Sequence, residues 1–347
     1  MAPIESRAMT ALGKHLRIGT VAAVMLLAWV AWNLIQWGVV NASWSVTSAS
    51  QCNPDGACWA VIRARYHLLF FGLYPIEEQW RAALACVAAL GAIGLTAWPR
   101  LWHMRTVGLL FLCTAGLIYA LLRGGVPSVM PYVPTDKWGG FALTIFLYVF
   151  GVVLGFPIGV ALALLRRHRS RAVSGVTAFV VDTMRTLPMV MVLFTVGVLV
   201  PMVAPEWLTG DKLWRVTLAF AFVYGCYQSE IVRAGLQSIP RTQEDAAKAL
   251  ALSPYLRLRL VLLPQGLTNG LPATVNLLVA TFKETSIVAI IGFFDFTAAS
   301  QAAYGNADWT NAYLEVYLVV AMCYFTCASA VGWLGHRVEK NLRQSRG

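Results

Sequence analysis

Three ionisable residues, Glu230, Lys283 and Glu284, stand inside long apolar runs of this chain. A charge in hydrocarbon is expensive, so such residues point first to a partner, a cavity or a transport path. A structural ion pair, Glu230 with Lys283 or Glu284 with the neighbours of Lys283, explains them equally well. Arg185 and Arg233 are also consistent with residues that mark a membrane interface by reaching into water. Other chemistry is missing. There is no G-x-x-x-x-G-K-[ST] phosphate loop and no H-E-x-x-H zinc helix. The histidines, at 15, 67, 103, 168 and 336, lack metal-ligand spacing, and no Ser/His/Asp set can be assembled. No catalytic residue, metal site or cofactor is therefore expected, and energy must come from a partner or an ion gradient. Cys52 and Cys58 bracket Asn53-Pro54-Asp55-Gly56, a strong turn signal. In an oxidising compartment they can join as a disulfide; two free thiols are the other reading.

The elements that must carry these residues follow from composition. Of 347 residues 58% are hydrophobic and 12% charged, where soluble domains carry roughly 25% charged. That excludes a soluble multidomain protein and a disordered one. The net charge of +11 is scattered between apolar runs, which argues for retention at a membrane face rather than for nucleic-acid binding. The expected fold is an all-α integral membrane protein with about eight transmembrane helices. The candidate stretches are 18–40, 80–98, 106–122, 140–165, 187–203, 213–231, 271–291 and 312–334. The first exceeds the 7–15 residues of a signal-peptide core and is read as a retained helix. With the N-terminus inside, nineteen Lys and Arg fall on one side, from Arg7, Lys14 and Arg17 to Arg343 and Arg346, and seven on the other, with Lys283 in a span. Both termini are thus expected to be cytoplasmic. The chain divides near residue 135: an extension with three spans and a long outer loop at 41–79 (1–135), a polar-detailed core (136–336) and a tail (337–347).

The loop between the sixth and seventh stretches carries the strongest pattern. Thr242 and Asp245 have capping-box spacing, Ala246, Ala247, Ala249 and Ala251 favour a short helix, and Ser253-Pro254 is expected to end it. Small side chains admit a close partner; an ordinary connector helix is the plainer reading. The run Arg166–Arg171 reads as positive-inside retention, and residues 172–184 as a possible interfacial helix.

This loop resembles the pattern E-A-A-x3-G-x9-I-x-L-P of permease subunits of ATP-binding-cassette (ABC) importers. Asp245, Ala246, Ala247, Ala251, Val261, Leu263 and Pro264 fall in register, with Asp, Ala and Val in place of Glu, Gly and Ile. Thr242-Gln243 stands where the polar amino acid branch has Gly-Gln. Trp138-Gly139-Gly140 with Thr144, Asp182-Thr183-Met184-Arg185-Thr186-Leu187-Pro188, Tyr227-x-x-Glu230-x-x-Arg233, Leu263-Pro264-Gln265, Asn276 and Lys283-Glu284-Thr285-Ser286 resemble further stretches of that branch. Residues 56–60 and Tyr74-Pro75 resemble the longer permease of general L-amino acid uptake systems.

The resemblance implies a five-helix type I importer permease core in a bacterial inner membrane. It implies a second, non-identical permease, an ATPase that alone binds ATP and magnesium, and a periplasmic amino acid-binding protein. Thr242, Gln243, Asp245, Ala246, Ala247, Ala251, Leu263 and Pro264 become the ATPase-coupling loop. Arg185, Glu230, Asn276, Lys283, Glu284, Thr285 and Ser286 become candidates for the substrate pathway: acids for an ammonium, Arg185 and the hydroxyls for a carboxylate. The runner-up is a secondary transporter of a small polar solute, for which inverted repeats are expected and none is visible.

Overall fold

The computed structural model describes residues 2–102, 104–126, 129–205 and 209–344, and side chains between residues 19 and 341 of these, residue 104 apart. The side chains of Arg7, Lys14, Arg17, His15, His103, Arg343 and Arg346 therefore lie outside the described residues.

In hydrocarbon every backbone N–H and C=O must be paired within the protein, and the apolar runs meet that demand as helices. They are α1 (Ala2–Ile35), α2 (Ala60–Phe71), α3 (Gln79–Leu95), α4 (Met104–Arg123), α5 (Gly140–Leu165), α6 (Arg171–Thr186), α7 (Met189–Val203), α8 (Lys212–Gln237), α9 (Arg241–Ala249), α10 (Leu263–Asn269), α11 (Leu271–Glu284), α12 (Phe296–Tyr304) and α13 (Tyr313–Gln344). Among the described residues, five stretches are long and apolar enough to cross a membrane: Gly19–Val40, Arg105–Arg123, Gly140–Leu165, Leu271–Ile291 and Tyr313–Asn341. The pair α6–α7, bent by 103°, passes the same test only when taken together, as a broken span or a re-entrant loop.

The count of about eight is not confirmed, for two physical reasons. Helix α3 has 17 residues, about 25 Å of rise against a hydrocarbon core of about 30 Å. Helix α8 has 26 residues, but Lys212, Arg215, Glu230 and Arg233 dilute its apolar surface.

Two compact units divide the chain: Met1–Tyr66 with Ala303–Leu318, and His67–Ala302 with Val319–Gly347. In the first, Cys52 and Cys58 are disulfide-bonded with Cα atoms 5.6 Å apart. The Cys58 N–H donates to the buried Glu315 carboxylate at 2.8 Å. The Trp59 indole donates to the Gly38 carbonyl at 2.7 Å, which folds the loop back on the end of the first apolar run.

The second unit is built on the crossing of α5 and α8. Gly151, Gly155 and Gly159 recur every four residues along one side of α5, and a Cβ on Gly155 would overlap the Ala221 carbonyl oxygen. This ridge of small residues lets two helix backbones approach closely, as in membrane helix pairs generally. Beside it Phe146 stacks on Phe150 with centroids 4.3 Å apart, and Trp214 lies edge-on to both. At the start of α5, Gly140 has φ 61° and its N–H donates to the Phe294 carbonyl at 2.7 Å. A Cβ there would strike the α2 backbone at Leu69 and Phe70, which accounts for Trp138-Gly139-Gly140. Asp295, outside the spans, caps α12 through the N–H groups of Thr297 and Ala298. Burial pushes its carboxyl up to about 6, against the pull of those donors.

Candidate coupling and translocation site

Helix α9 is a closed nine-residue unit. Pro240, in an extended conformation with φ −57° and ψ 140°, starts it, and Arg241 is its first residue. Thr242 therefore lies inside the first turn and forms no capping box with Asp245; the expected start was misplaced because proline, not threonine, sets it. Glu244 in the first turn and Lys248 in the last suit the helix dipole. Lys248 also pairs with Asp245 at 3.0 Å and with Glu244 at 3.8 Å.

The helix ends earlier than expected. Ala251 has φ 57°, and among the described residues no other non-glycine has a positive φ. The Leu252 N–H donates to the Ala247 carbonyl at 3.2 Å and the Ala251 N–H to the Lys248 carbonyl at 2.8 Å. This pair of bonds is a Schellman turn, whose left-handed position favours glycine. The departure from Gly at Ala251 thus falls where the backbone most wants it. Ser253-Pro254 does not end α9 but opens the next turn, Pro254–Leu256, with the Ser253 hydroxyl accepting from the Leu256 N–H at 3.3 Å.

Ala247 is buried within the chain, whereas Thr242, Gln243, Asp245 and Ala246 are exposed and Leu250 is 76% exposed. Leu263 and Pro264 begin α10 directly after the π-turn Arg257–Leu262, so the proline, which lacks an N–H, falls where the helical ladder is already interrupted. The Gln265 amide donates to Gln243 at 3.4 Å and links α10 to α9.

The charged residues gather elsewhere. Glu230 on α8 accepts from Arg166 and from Arg233, whose Nη2 is 2.6 Å away, and has Arg185 at 3.8 Å. Asp182 holds the other side of Arg166 at 2.9 Å. One carboxylate, 14% exposed, thereby ties the end of α5, the end of α6 and α8. Arg185 also lies 5.7 Å from the centre of the Tyr227 ring, and the Tyr227 hydroxyl donates to the Arg185 carbonyl. Lys283 is not a partner of Glu230. Sequence reasoning missed Arg166 and Asp182 as members of this cluster; E-x-x-R spacing from Asp182 to Arg185 was the available signal.

Helix α11 has a different character. Asn276, Lys283 and Glu284 are exposed on a helix whose other side chains are apolar or buried threonines, and neither charged residue has a salt bridge within the described residues. Asn276 and Lys283 are seven residues apart and share a face. Thr285 is buried and donates to the Phe282 carbonyl at 2.7 Å; Ser286 donates to Lys283 at 2.9 Å. Both hydroxyls are thus held by the local backbone. Gln228 and Thr274, bonded at 3.0 Å and fully or nearly buried, join α8 to α11 and were also missed.

Residues 155–344 match the family described as binding-protein-dependent transport system inner membrane component. The chain belongs to this family. It is a permease subunit, a transport component rather than a catalytic one. The permease is 31% identical to the inner membrane amino-acid ABC transporter permease protein YhdY of Escherichia coli, over 99% of this chain and 95% of that one. It is 26% identical to the glutamate/glutamine/aspartate/asparagine transport system permease protein BztC of Rhodobacter capsulatus, over 94% and 90%. The arginine transport system permease protein ArtQ of Bacillus subtilis matches at 29% over 59% of this permease and 92% of its own length. Among solved structures, an amino acid ABC transporter with histidines superposes with a TM-score of 0.53 at 26% identity, covering 58% of this permease and 92% of that chain.

Proposed function

We propose that this permease forms half of the translocation path of an ATP-driven amino acid importer in a bacterial inner membrane, with both termini cytoplasmic. Its opposite half is a second, non-identical permease, and a periplasmic binding protein delivers the substrate. ATP and magnesium are bound by a separate ATPase that docks on α9. The observation that carries this reading is α9 itself: a rigid helix closed by Pro240 and the Ala251 turn, with Ala247 anchored inward and Ala246 and Leu250 turned out. Such a helix transmits a push without unravelling. The match to short relatives over little more than half the chain, and to YhdY over nearly all of it, supports reading 136–336 as the transport core and 1–135 as an extension.

The polar face of α11 supplies the path. Asn276, Lys283 and Glu284 need water or a polar cargo opposite them; a zwitterionic amino acid provides a carboxylate for Lys283 and an ammonium for Glu284. The Glu230 cluster is the structural tie at the other ends of these helices. Ala246→Arg tests the coupling. Insertion and yield are expected to be unchanged, while ATPase co-purification and uptake are lost. Normal association and uptake in that variant would defeat the assignment, and uptake driven by an ion gradient without the ATPase would favour a secondary transporter.

A further inference from the structure

Helix α6 presents an apolar stripe outward. Thr177 and Val181 are buried, while Val173, Val176 and Phe179 are 36%, 65% and 72% exposed. Just before this stripe the run Arg166–Arg171 is split in its loyalties. Arg166 is turned inward to Glu230 and Asp182. Arg167, Arg169 and Arg171 are exposed, and no carboxylate among the described residues pairs with them. The turn that carries them is itself built: the Ser170 N–H donates to His168 Nδ1 at 3.1 Å, and the Ser174 hydroxyl donates to the Arg166 carbonyl at 2.7 Å. Three exposed cations therefore stand at one end of an exposed apolar stripe.

We propose that this segment binds anionic phospholipids. Headgroup phosphates sit on Arg167, Arg169 and Arg171, and the upper acyl chains lie on Val173, Val176 and Phe179. Guanidinium forks match phosphate oxygens in pairs, and an amphipathic helix with adjoining basic residues is the usual form of an interfacial lipid contact. A soluble phosphate ester meets the charges but leaves the apolar stripe in water. A protein partner needs carboxylates opposite the arginines and an apolar patch beside them. The lipid satisfies both halves with one molecule.

Two measurements on the assembled transporter test this. First, Phe179→p-benzoylphenylalanine is photolysed in native membranes. A phospholipid adduct is expected; an adduct to another permease or to the ATPase overturns the proposal. Second, the wild type and the combined R167Q/R169Q/R171Q variant are placed in bilayer discs of phosphatidylglycerol mixed with phosphatidylcholine, and retained lipids are counted by native mass spectrometry. The wild type is expected to retain phosphatidylglycerol over phosphatidylcholine, and the variant to bind it about a hundredfold more weakly. Equal retention by the two proteins, or displacement of the lipid by millimolar glycerol phosphate, overturns it.

Discussion

At the scale of single residues, the two acids that looked alike in the sequence separate. Glu230 holds three arginines, so Glu230→Gln leaves those charges short of a partner. It is expected to cost about 3 kcal/mol, the low end for a broken buried pair, because the arginines still reach solvent; reduced complex yield and a lower melting temperature in detergent measure it. Glu284→Gln breaks no ion pair and is expected to lower uptake at wild-type yield. Ala251 carries a different prediction. Ala251→Gly removes the left-handed penalty and is expected to stabilise the turn after α9 by about 1 kcal/mol, read as slower proteolysis at the loop. Asp295 gives a pH signature. Its carboxyl is raised from 3.8 to about 6, so the folded state holds the proton more tightly than the unfolded one. Its contribution favours folding at low pH and declines as pH rises to about 6, then stays level. Asp295→Asn keeps a capping oxygen and is expected to flatten that part of the stability profile relative to wild type. Legibility at this scale followed chain distance. The Ala251 departure was visible because it sits in a local motif. The pairing of Arg166 with Glu230 was not, because 64 residues separate them and only the α5–α8 crossing brings them together.

At the scale of elements, α9 shows how a correct location can hide a wrong mechanism. The alanine-rich run announced a short helix, but both ends were misassigned. A proline that precedes a helix competes with any Thr for the cap, and a non-glycine in the left-handed region has no sequence signature of its own. The consequence is practical. Ala247→Arg does not test docking, since Ala247 is buried in this chain; it is expected to disrupt the loop and lower yield, in contrast to Ala246→Arg. The α5–α8 crossing gives a second element-scale prediction. Gly155→Val places branched carbon against the α8 backbone and is expected to cost roughly 1–3 kcal/mol by overpacking, seen as a lower melting temperature, whereas the same change at Gly175, where a Cβ meets nothing within 4 Å, leaves packing intact. The four-residue glycine spacing was readable from sequence, but periodic apolarity alone hid it inside a run that is hydrophobic all round.

At the scale of the whole molecule, composition was enough for the membrane class and for most long spans, since length and apolarity are properties of a stretch by itself. It was not enough for the count, because charges on α8 and a break at Leu187-Pro188 depend on neighbours. The loop cysteines offer a check on the outer compartment. Cys52 and Cys58 are expected to resist alkylation in intact membranes until a reductant is added. Their joint replacement by Ser removes the cross-link of a short loop, worth about 2 kcal/mol in chain entropy, while uptake persists because the Cys58 amide can still meet Glu315. Helix α8 has one last consequence. Near its start Lys212 holds the Ile291 carbonyl at 2.7 Å and Arg215 holds the Val196 carbonyl at 3.0 Å; near its end Glu230 holds α5 and α6; along its middle the glycine ridge of α5 leaves no slack. In the language of linkages, α5 and α8 are one rigid bar pinned at both ends, and the joint lies where the ladder is already interrupted, at Leu187-Pro188. On the coupling role proposed for α9, a stroke delivered there is expected to travel along α8 and α5, with the bending taken up by α6 and α7.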